Sequence, residues 1–249
     1  MIILIITDTQ YITSQSIKEV DTIILSDLHL GSEVARPTQA RETLMKYKFK
    51  RLILLGDIFD DLNFSRLKKE HWSFLSYIRR LSNPKNKIEV VWVEGNHDEG
   101  LSKITSHFIG IKVYKEYSFR IKDKNILAIH GHQFDRFLNE NIIISSVASF
   151  IYDKIQRLSG EKQSLARWVK RKSKGWLRLA NKIAIRASEY AKQKGFNTVI
   201  CGHTHQSHHT FFSDLGISFY NSGCWTDIPQ TYIIISNNGE FEIKIAESL

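Results

Sequence analysis

The sequence predicts an α/β fold, and three observations lead to that prediction. Short apolar runs rich in β-branched residues recur along the chain, helical patterns separate the first of them, and polar residues directly follow many of them. The runs cover residues 2–6, 22–25, 52–55, 90–93, 126–129, 199–201, 217–220 and 232–235. Continuous apolar runs are typical of strands covered on both faces. Strands that alternate with helices are typical of α/β sheets, in which ligand-binding loops follow the carboxyl ends of strands.

Helical periodicity appears in two parts of the chain. Residues 39–49 and 67–81 lie between predicted strands. From about residue 135 to 194 the pattern is helical without any strand, with one apolar stripe over 144–158 and another over 176–191. We therefore predict a single domain over residues 1–249, with a helical insertion at about 135–194 that forms a cap over the strand ends.

The composition is that of a water-soluble globular protein. Of 249 residues, 42% are apolar and 24% are charged, which excludes a disordered chain, a collagen and a membrane bundle. The two cysteines, Cys201 and Cys224, are too few for a disulfide scaffold. The apolar run at residues 2–6 is too short for a signal segment or a membrane span. We expect a cytoplasmic protein.

The positive charge is concentrated in the predicted insertion. The whole chain carries a net charge of +9, and residues 151–195 alone hold thirteen Lys or Arg residues against three acids. Such a segment attracts nucleic acid, anionic lipid headgroups or a phosphorylated substrate, the alternative being a solvated helical face. A mixture of cations and tryptophans suits an interfacial or phosphate-facing surface. We therefore predict substrate contacts at Arg167, Trp168, Lys170, Arg171 and Trp176.

Five polar clusters follow the predicted strands in order. They are S-D-L-H-L-G at residues 26–31, G-D-I-F-D at 56–60, G-N-H-D at 95–98, H-G-H at 130–132 and G-H-T-H at 202–205. Most of these are weak signals when taken singly, but G-N-H-D arises by chance in only about one in a thousand chains of this length. All five in this order indicate a common site.

The residue types in these clusters are those of a metal site. In a strand, residues i and i+2 point the same way, so Asp27 with His29, and His203 with His205, can each aim two side chains into one cavity if strand geometry continues into the loop. Together with the amide oxygen of Asn96, they make a mixed nitrogen and oxygen ligand set without sulfur. Such a set suits manganese, iron or zinc.

Asp57 and a group of glycines complete the predicted site. The Asp57 carboxylate has two oxygens and could bridge two cations. Glycines at positions 56, 95, 131 and 202 allow the backbone to turn sharply beside the ions. Asp60 is predicted either to take part in the site or to cap a following helix, and His132 to orient a ligand.

The order of the clusters resembles the calcineurin-like metallophosphoesterase superfamily over residues 22 to about 235. The resemblance implies a four-layer α/β/β/α sandwich and two divalent ions. It implies a first ion held by Asp27, His29, Asp57 and His205, and a second held by Asp57, Asn96, His130 and His203. His97 would be a catalytic histidine that binds no metal, and Asp98 would orient its imidazole.

Within that superfamily, several segments are similar to the UDP-2,3-diacylglucosamine diphosphatase family of lipid A synthesis. They are the S-D-L-H-L-G opening, I-H-G-H-Q-F-D, C-G-H-T-H-Q, Y-N-S-G-C-W-T-D and the basic insertion. The similarity implies manganese-dependent cleavage of a nucleotide-lipid pyrophosphate to UMP and a lipid monosaccharide phosphate. It also implies a cap over the acyl chains, and with the basic insertion it suggests a peripheral position on the inner face of the membrane.

Two other classes of function stay open at this point. One is a different phosphoesterase, such as a nuclease or a phosphatase for nucleotides or phosphoproteins, whose basic surface would contact phosphates. The other is a binding module without catalytic activity. A module of that kind is expected to lose metal ligands, whereas this sequence has all of them.

Overall fold

The computed structural model describes residues 17–97, 110–135 and 174–247. Several predictions lie outside these ranges, namely the strand at 2–6, the helical stripe at 144–158, Asp98, Arg167, Trp168, Lys170 and Arg171. The described helices are α1 (Pro37–Met45), α2 (Lys69–Leu81) and α3 (Lys174–Gln193), with short 3-10 helices at Phe64–Arg66, Pro84–Asn86 and His132–Phe134. None of the helices within the described ranges has the length and apolar character that crossing a membrane requires.

Within the described ranges, the strands form two large sheets and one small one. The strands are β1 (Lys18–Glu19), β2 (Thr22–Leu25), β3 (Tyr47–Lys48), β4 (Arg51–Leu55), β5 (Glu89–Val93), β6 (Val113–Tyr114), β7 (Tyr117–Ile121), β8 (Lys124–Ala128), β9 (Thr198–Cys201), β10 (His208–Phe212), β11 (Ile217–Asn221), β12 (Thr231–Ile235) and β13 (Phe241–Ile245). One sheet has six strands in the order β13-β12-β2-β4-β5-β6, and another has five in the order β10-β11-β9-β8-β7. The strands that precede the polar clusters are parallel within each sheet: β2, β4 and β5 in one, β8 and β9 in the other.

Three clusters of apolar side chains lie between successive layers of helices and sheets. Leu52 and Leu54 of β4 belong to a cluster with residues of α1 and α2 on one side of the six-stranded sheet. Ile53 and Leu55 of the same strand belong to a second cluster with residues of β8 and β9, between the two sheets. In the third cluster, Ala187 of α3 packs with residues of the five-stranded sheet. The layers are therefore α/β/β/α, and the prediction that these strands are covered on both faces is confirmed.

The predicted helix at 39–49 is too long at its carboxyl end. α1 ends at Met45, and Tyr47–Lys48 forms β3, which pairs in parallel with β1. Phe49, the last residue of the predicted helix, is buried in the core two residues before β4. Its apolar character therefore reflects the approach to the sheet and not the face of a helix.

Besides the two-residue strands β1, β3 and β6, three longer strands at sheet edges were not predicted from the sequence. They are β7, β10 and β13, which pair in antiparallel hairpins with β8, β11 and β12. Their residues are mostly half-buried or exposed. Polar side chains alternate with apolar ones in β7 and β13, and β10 begins with three polar residues, so all three lack the continuous apolar runs of the central strands.

The described part of the predicted insertion is α3. Ala184, Ala187 and Ala191 on this helix pack against β9 and β11, so this part of the segment contributes to an outer layer of the sandwich. The cap and the single-domain organisation stay predictions, because residues 136–173 lie outside the described ranges.

Candidate metal centre

The polar clusters of both sheets meet at the carboxyl ends of the parallel strands. Strand β2 is followed by Asp27 and His29, β4 by Asp57, β5 by Asn96 and His97, β8 by His130, and β9 by His203 and His205. Because carboxyl ends of parallel strands share one edge of a sheet, the side chains of each sheet are brought together there. The two sheets face each other, so their two sets of side chains come into contact.

Four groups of potential ligand atoms result among the described residues, and two of them combine residues from both large sheets. Asp27, His29 and His205 form one group, Asp57, His130 and His203 the other, and the atoms of each group lie within 4.8 Å of one another. In the first group His205 Nε2 is 3.3 Å from Asp27 Oδ1. In the second, His130 Nε2 is 3.2 Å from Asp57 Oδ2.

Asp57 faces both groups. The Oδ2 atom that contacts His130 is also 4.0 Å from Nε2 of His29, a member of the first group. Its Oδ1 atom accepts a hydrogen bond of 2.9 Å from the backbone amide of His97. The carboxylate therefore lies between the two candidate cation positions, as a bridging ligand must.

The site backbone is left-handed and not extended. The φ angles are 52° at Asp27, 46° at His29, 50° at Asp57, 65° at His203 and 56° at His205. The condition that strand geometry continues into the loops is therefore not met. Asp27 and His29 still reach one group, whereas His203 and His205 reach different groups. For residues other than glycine this conformation costs about 1–2 kcal/mol each. The turns are supported by hydrogen bonds between loops, such as Asp27 N to Gly56 O at 3.0 Å.

The glycines of the site leave room for ligand side chains. A Cβ atom on Gly56 would lie 2.3 Å from Nδ1 of His130, and one on Gly95 would lie 2.3 Å from the backbone nitrogen of Asp57. Gly56 also has a φ of +78°, whereas Gly95 is not in the left-handed region. Sharp turning explains only part of the glycine pattern, because Gly95 is required by the close approach of the loop that follows β4, the neighbouring strand of the same sheet.

The ring nitrogens that face away from the cluster have defined partners in the neighbouring loops. Nδ1 of His130 donates a 2.9 Å hydrogen bond to the carbonyl of Leu55. Nδ1 of His29 lies 3.4 Å from Oδ1 of Asp60. Partners of this kind fix which nitrogen of an imidazole is available to a metal, which is Nε2 for both of these histidines.

The two histidines of G-H-T-H face buried carboxylates with opposite ring nitrogens. Nδ1 of His205 lies 3.8 Å from Oδ2 of Asp227, whereas Nε2 of His203 lies 3.3 Å from Oδ2 of Asp135. Neither acid was predicted from the sequence to belong to the site. Asp135 lies within the I-H-G-H-Q-F-D segment and Asp227 within Y-N-S-G-C-W-T-D, so both were close to residues that it did select.

Several buried oxygen and nitrogen atoms of these residues are suited to bind a cation. Among the described residues, the buried side-chain atoms without a hydrogen-bond partner include Asp27 Oδ1, His29 Nε2, Asn96 Oδ1 and His130 Nε2. Buried polar atoms are nearly always satisfied, and these four are two oxygens and two nitrogens of the types that bind divalent metals. The donor set therefore fits the ions that the sequence pattern predicts.

The electrostatics of the second group also favour positive charge. Burial by itself raises the pKa of the Asp57 carboxyl, but His130, His97 and His29 outweigh burial and hold that pKa well below its ordinary value. Burial lowers the pKa of His130, yet Asp57 and Asp27 raise it to about 9. The carboxylates of Asp57 and Asp27, whose pKa values are both lowered, are thus ionised at neutral pH. The region beside these two carboxylates therefore favours positive charge.

His97 and Asp60 adjoin the first group. His97 Nδ1 is 2.6 Å from the carbonyl oxygen of Asp60, and its ring meets that of His29 edge-on with centroids 4.9 Å apart. The Asp60 carboxylate also contacts Arg66 at 2.9 Å. Asp60 therefore takes part in the site, and the helix-cap alternative is wrong, because Asn63 caps the 3-10 helix that follows.

Two further predicted residues border the second group. The ring of His132 is 5.5 Å from that of His130, and its buried Nδ1 has no hydrogen-bond partner within the described ranges. Burial, assisted by His130 and His203, lowers its pKa to about 4. Trp176 at the start of α3 donates from Nε1 to the carbonyl of Thr204 at 3.2 Å, so it contacts the G-H-T-H loop. A contact of Trp176 with substrate stays a prediction.

The chain belongs to the calcineurin-like phosphoesterase family, whose model matches residues 1–207. The protein is therefore a metal-dependent phosphoesterase, and the family implies divalent metal ions. The observed layers and sheet arrangement are those expected for this family. A search of curated proteins found no significant match.

Solved structures that are similar to this chain share little sequence with it. An archaeal phosphodiesterase is 16% identical, with a TM-score of 0.50, over 90% of this chain and 98% of its own. Vps29 of Entamoeba histolytica in complex with zinc is 16% identical, with a TM-score of 0.48, over 91% and 99%. A predicted phosphoesterase of Streptococcus pneumoniae is 16% identical, with a TM-score of 0.40, over 91% and 97%.

Proposed function

We propose that this phosphoesterase hydrolyses its substrate with two manganese ions held by the side chains at the carboxyl ends of the strands. The first ion is assigned to Asp27, His29, Asp57 and His205, and the second to Asp57, Asn96, His130 and His203. The observation that carries the proposal is the position of Asp57, whose carboxylate faces both groups of ligand atoms. All of these ligand types are present, which argues against a binding module without activity.

Two divalent cations at such a site supply Lewis-acid activation of water and neutralise charge on the phosphoryl oxygens. The protein contributes a positioned proton donor, His97. A backbone carbonyl can only accept, so Nδ1 of His97 keeps its proton in the hydrogen bond to Asp60. In the imidazolium form, Nε2 carries the second ring proton and donates it to the leaving oxygen, which leaves a neutral imidazole protonated at Nδ1. Proton donation of this kind contributes about 10²- to 10⁴-fold.

We further propose that the substrate is a nucleotide-linked lipid of the UDP-2,3-diacylglucosamine type. Exposed apolar side chains next to residues of the site support an acyl-bearing substrate. Leu177 follows Trp176 and is 43% exposed, Ile228 follows Asp227 and is 65% exposed, and Leu62 is two residues beyond Asp60 and is 53% exposed. Contacts between isolated apolar residues and acyl chains stabilise binding through burial of apolar surface.

In this proposal the phosphates or an anionic membrane surface are contacted by Arg167, Trp168, Lys170, Arg171 and Trp176. The reaction then takes place at the inner face of the membrane. The alternative is hydrolysis of another phosphodiester, which is the activity named for the archaeal protein of the same fold. A nucleic acid substrate would use the same basic segment.

A substrate comparison tests these proposals. The protein is supplied with manganese and offered UDP-2,3-diacylglucosamine, bis-p-nitrophenyl phosphate and single-stranded DNA, and kcat/KM is compared. We expect the highest kcat/KM for the lipid nucleotide, with UMP as a product. Preference for DNA, or activity on the generic diester alone, would overturn the lipid assignment and leave the phosphoesterase assignment in place.

Two variants test the metal assignment in the same assay. Asp57→Asn removes one charge from the carboxylate between the groups and is expected to abolish turnover and reduce bound manganese. Asp214→Asn changes an exposed acid on the turn between β10 and β11 and is the matched control, expected to leave both unchanged. Normal activity in Asp57→Asn would overturn the proposed two-ion site.

A further inference from the structure

His203 differs from His29, His130 and His205 in which ring nitrogen faces away from the cluster. In those three, Nδ1 has the partner in the neighbouring loop, whereas in His203 Nε2 lies 3.3 Å from Oδ2 of Asp135. The backbone amide of His203 donates to Asp27 Oδ2 at 3.1 Å, so the residue is held from both sides. With Nε2 against a carboxylate, Nδ1 is the nitrogen left to bind a metal.

Asp135 is itself fixed by buried contacts. It is 4% exposed, and its backbone amide donates to the carbonyl of His132 at 2.9 Å. The preceding residue, Phe134, accepts a 2.9 Å hydrogen bond on its carbonyl from Nη1 of Arg186, which lies on α3. The short 3-10 helix before Asp135 is therefore attached to the outer layer of the fold.

We propose that Asp135 is a positioning residue that presents His203 to the second cation through Nδ1, and that Arg186 maintains Asp135 in place. This inference rests on the proposed function, because it takes His203 to be a ligand. Asp135 would act on the ion only through His203.

Asp135 differs from the partner of His130 because it carries a negative charge. A carboxylate partner fixes the tautomer of a ligating imidazole and increases its affinity for metal, and removal of such a partner costs about 10- to 100-fold in metal affinity. In the second group, the outer nitrogen of His130 donates to the neutral carbonyl of Leu55. Within the described ranges, His203 is therefore the histidine of this group whose outer ring nitrogen faces a carboxylate, that of Asp135.

Manganese binding to Asp135→Asn tests the proposal. This variant nearly preserves the shape of the side chain and removes its charge. Calorimetric titration of the metal-free protein is expected to show one ion bound with unchanged affinity and the other bound about 10- to 100-fold more weakly. At limiting manganese, the electron paramagnetic resonance signal of the coupled pair is expected to give way to that of single ions. Equal weakening of both ions, or no weakening, would overturn the proposal.

Arg186→Ala and the double variant test the link to α3. Because Arg186 acts through Asp135, the double variant is expected to bind the second ion no more weakly than Asp135→Asn alone. Fully additive effects would overturn the role of Arg186. Asp214→Asn is the control and is expected to bind both ions as the parent protein does.

His203→Ala separates this proposal from the one on which it rests. If His203 is a ligand, this variant loses the second ion whatever Asp135 does. Retention of both ions in His203→Ala would contradict the proposed ligand set. Loss of the second ion in His203→Ala together with normal binding in Asp135→Asn would instead contradict only the positioning role of Asp135.

Discussion

The ring of His97 donates its Nδ1 proton to the backbone carbonyl of Asp60 across 2.6 Å, although the two residues are 37 positions apart in the chain. The carboxylate of the same aspartate lies 3.4 Å from Nδ1 of His29. One residue thus orients the proposed proton donor with its main chain and a proposed metal ligand with its side chain. The two effects are separable by mutation, since a substitution at Asp60 alters the carboxylate and leaves the carbonyl.

His97→Ala is expected to lower kcat by about 10²- to 10⁴-fold, because it removes the proton donor for the leaving group. Manganese content is expected to stay at the parental value, since His97 is not among the proposed ligands. Kinetics and metal analysis on the same sample check both points. His209→Ala, which alters an exposed histidine on β10, is the control. An unchanged kcat in His97→Ala would contradict the assigned role.

Asp60→Asn is expected to weaken binding of the first manganese ion by about 10- to 100-fold and to leave the second unaffected, because the variant removes the charge beside His29. Calorimetric titration of the metal-free protein measures both affinities. Asp61→Asn is a close control, since Asp61 also contacts Arg66 but is not the residue beside His29. If Asp61→Asn had the same effect as Asp60→Asn, the contact with His29 would not be the cause.

A comparison of Gly56→Ala with Gly195→Ala separates two causes of lost stability, strain in the left-handed backbone and contact of the added Cβ with its neighbours. The two glycines have φ angles of +78° and +82°, but an added Cβ meets His130 Nδ1 at 2.3 Å at Gly56 and nothing within 4 Å at Gly195. Both variants are expected to lose stability through the left-handed backbone. Gly56→Ala is expected to lose about 1–3 kcal/mol more, because His130 must shift.

The measurement for this pair is urea unfolding of the metal-free proteins, followed by manganese titration. We expect weaker binding of the second ion in Gly56→Ala only, since His130 belongs to the second group. Equal losses of stability in the two variants would show that the contact with His130 is unimportant.

His71 is expected to make the stability of the metal-free protein depend on pH. Its Nδ1 accepts a 2.9 Å hydrogen bond from the amide of Lys68 at the start of α2, and burial lowers its pKa below the ordinary value. The unfolded chain therefore takes up a proton at a higher pH than the folded chain does. The stabilising effect is complete above the ordinary histidine pKa of about 6.5 and is lost as the pH falls below it.

His71→Asn tests this dependence, because asparagine can accept the same hydrogen bond and does not titrate. The free energy of unfolding in urea is compared at pH values of about 7.5 and about 5.5, on either side of the ordinary pKa. The variant is expected to lose less stability on acidification than the parent, by an amount of the order of one hydrogen bond, about 0.5–1.5 kcal/mol. Parallel pH profiles would contradict the assignment to His71.

The central strands were predictable from the sequence because both of their faces are buried. In β4, Leu52 and Leu54 pack toward the helices while Ile53 and Leu55 pack between the sheets, so the run has no polar interruption. In β10 the residues alternate between half-buried and exposed, and His208 and His209 begin the strand. A strand with one exposed face at a sheet edge carries a mixed pattern that periodicity alone does not distinguish from a loop.

The convergence of the candidate ligands was predictable in part. The order of the clusters indicated which side chains meet, and the structure brings Asp27, His29 and His205 together, and likewise Asp57, His130 and His203. The left-handed backbone that achieves this was not predicted, and neither were the contacts of Asp135 and Asp227. Those contacts depend on how loops that are distant in the sequence pack together. Asp135 and His203, for example, are 68 positions apart in the chain.

The division of the candidate ligands between two sheets has a consequence for partly folded chains. One sheet delivers Asp27, His29, Asp57 and Asn96, and the other delivers His130, His203 and His205. A nascent or damaged molecule with only one sheet assembled holds an incomplete chelate. Hydrolytic capacity therefore requires both sheets to be assembled, and cation binding would stabilise the assembled state through mass action.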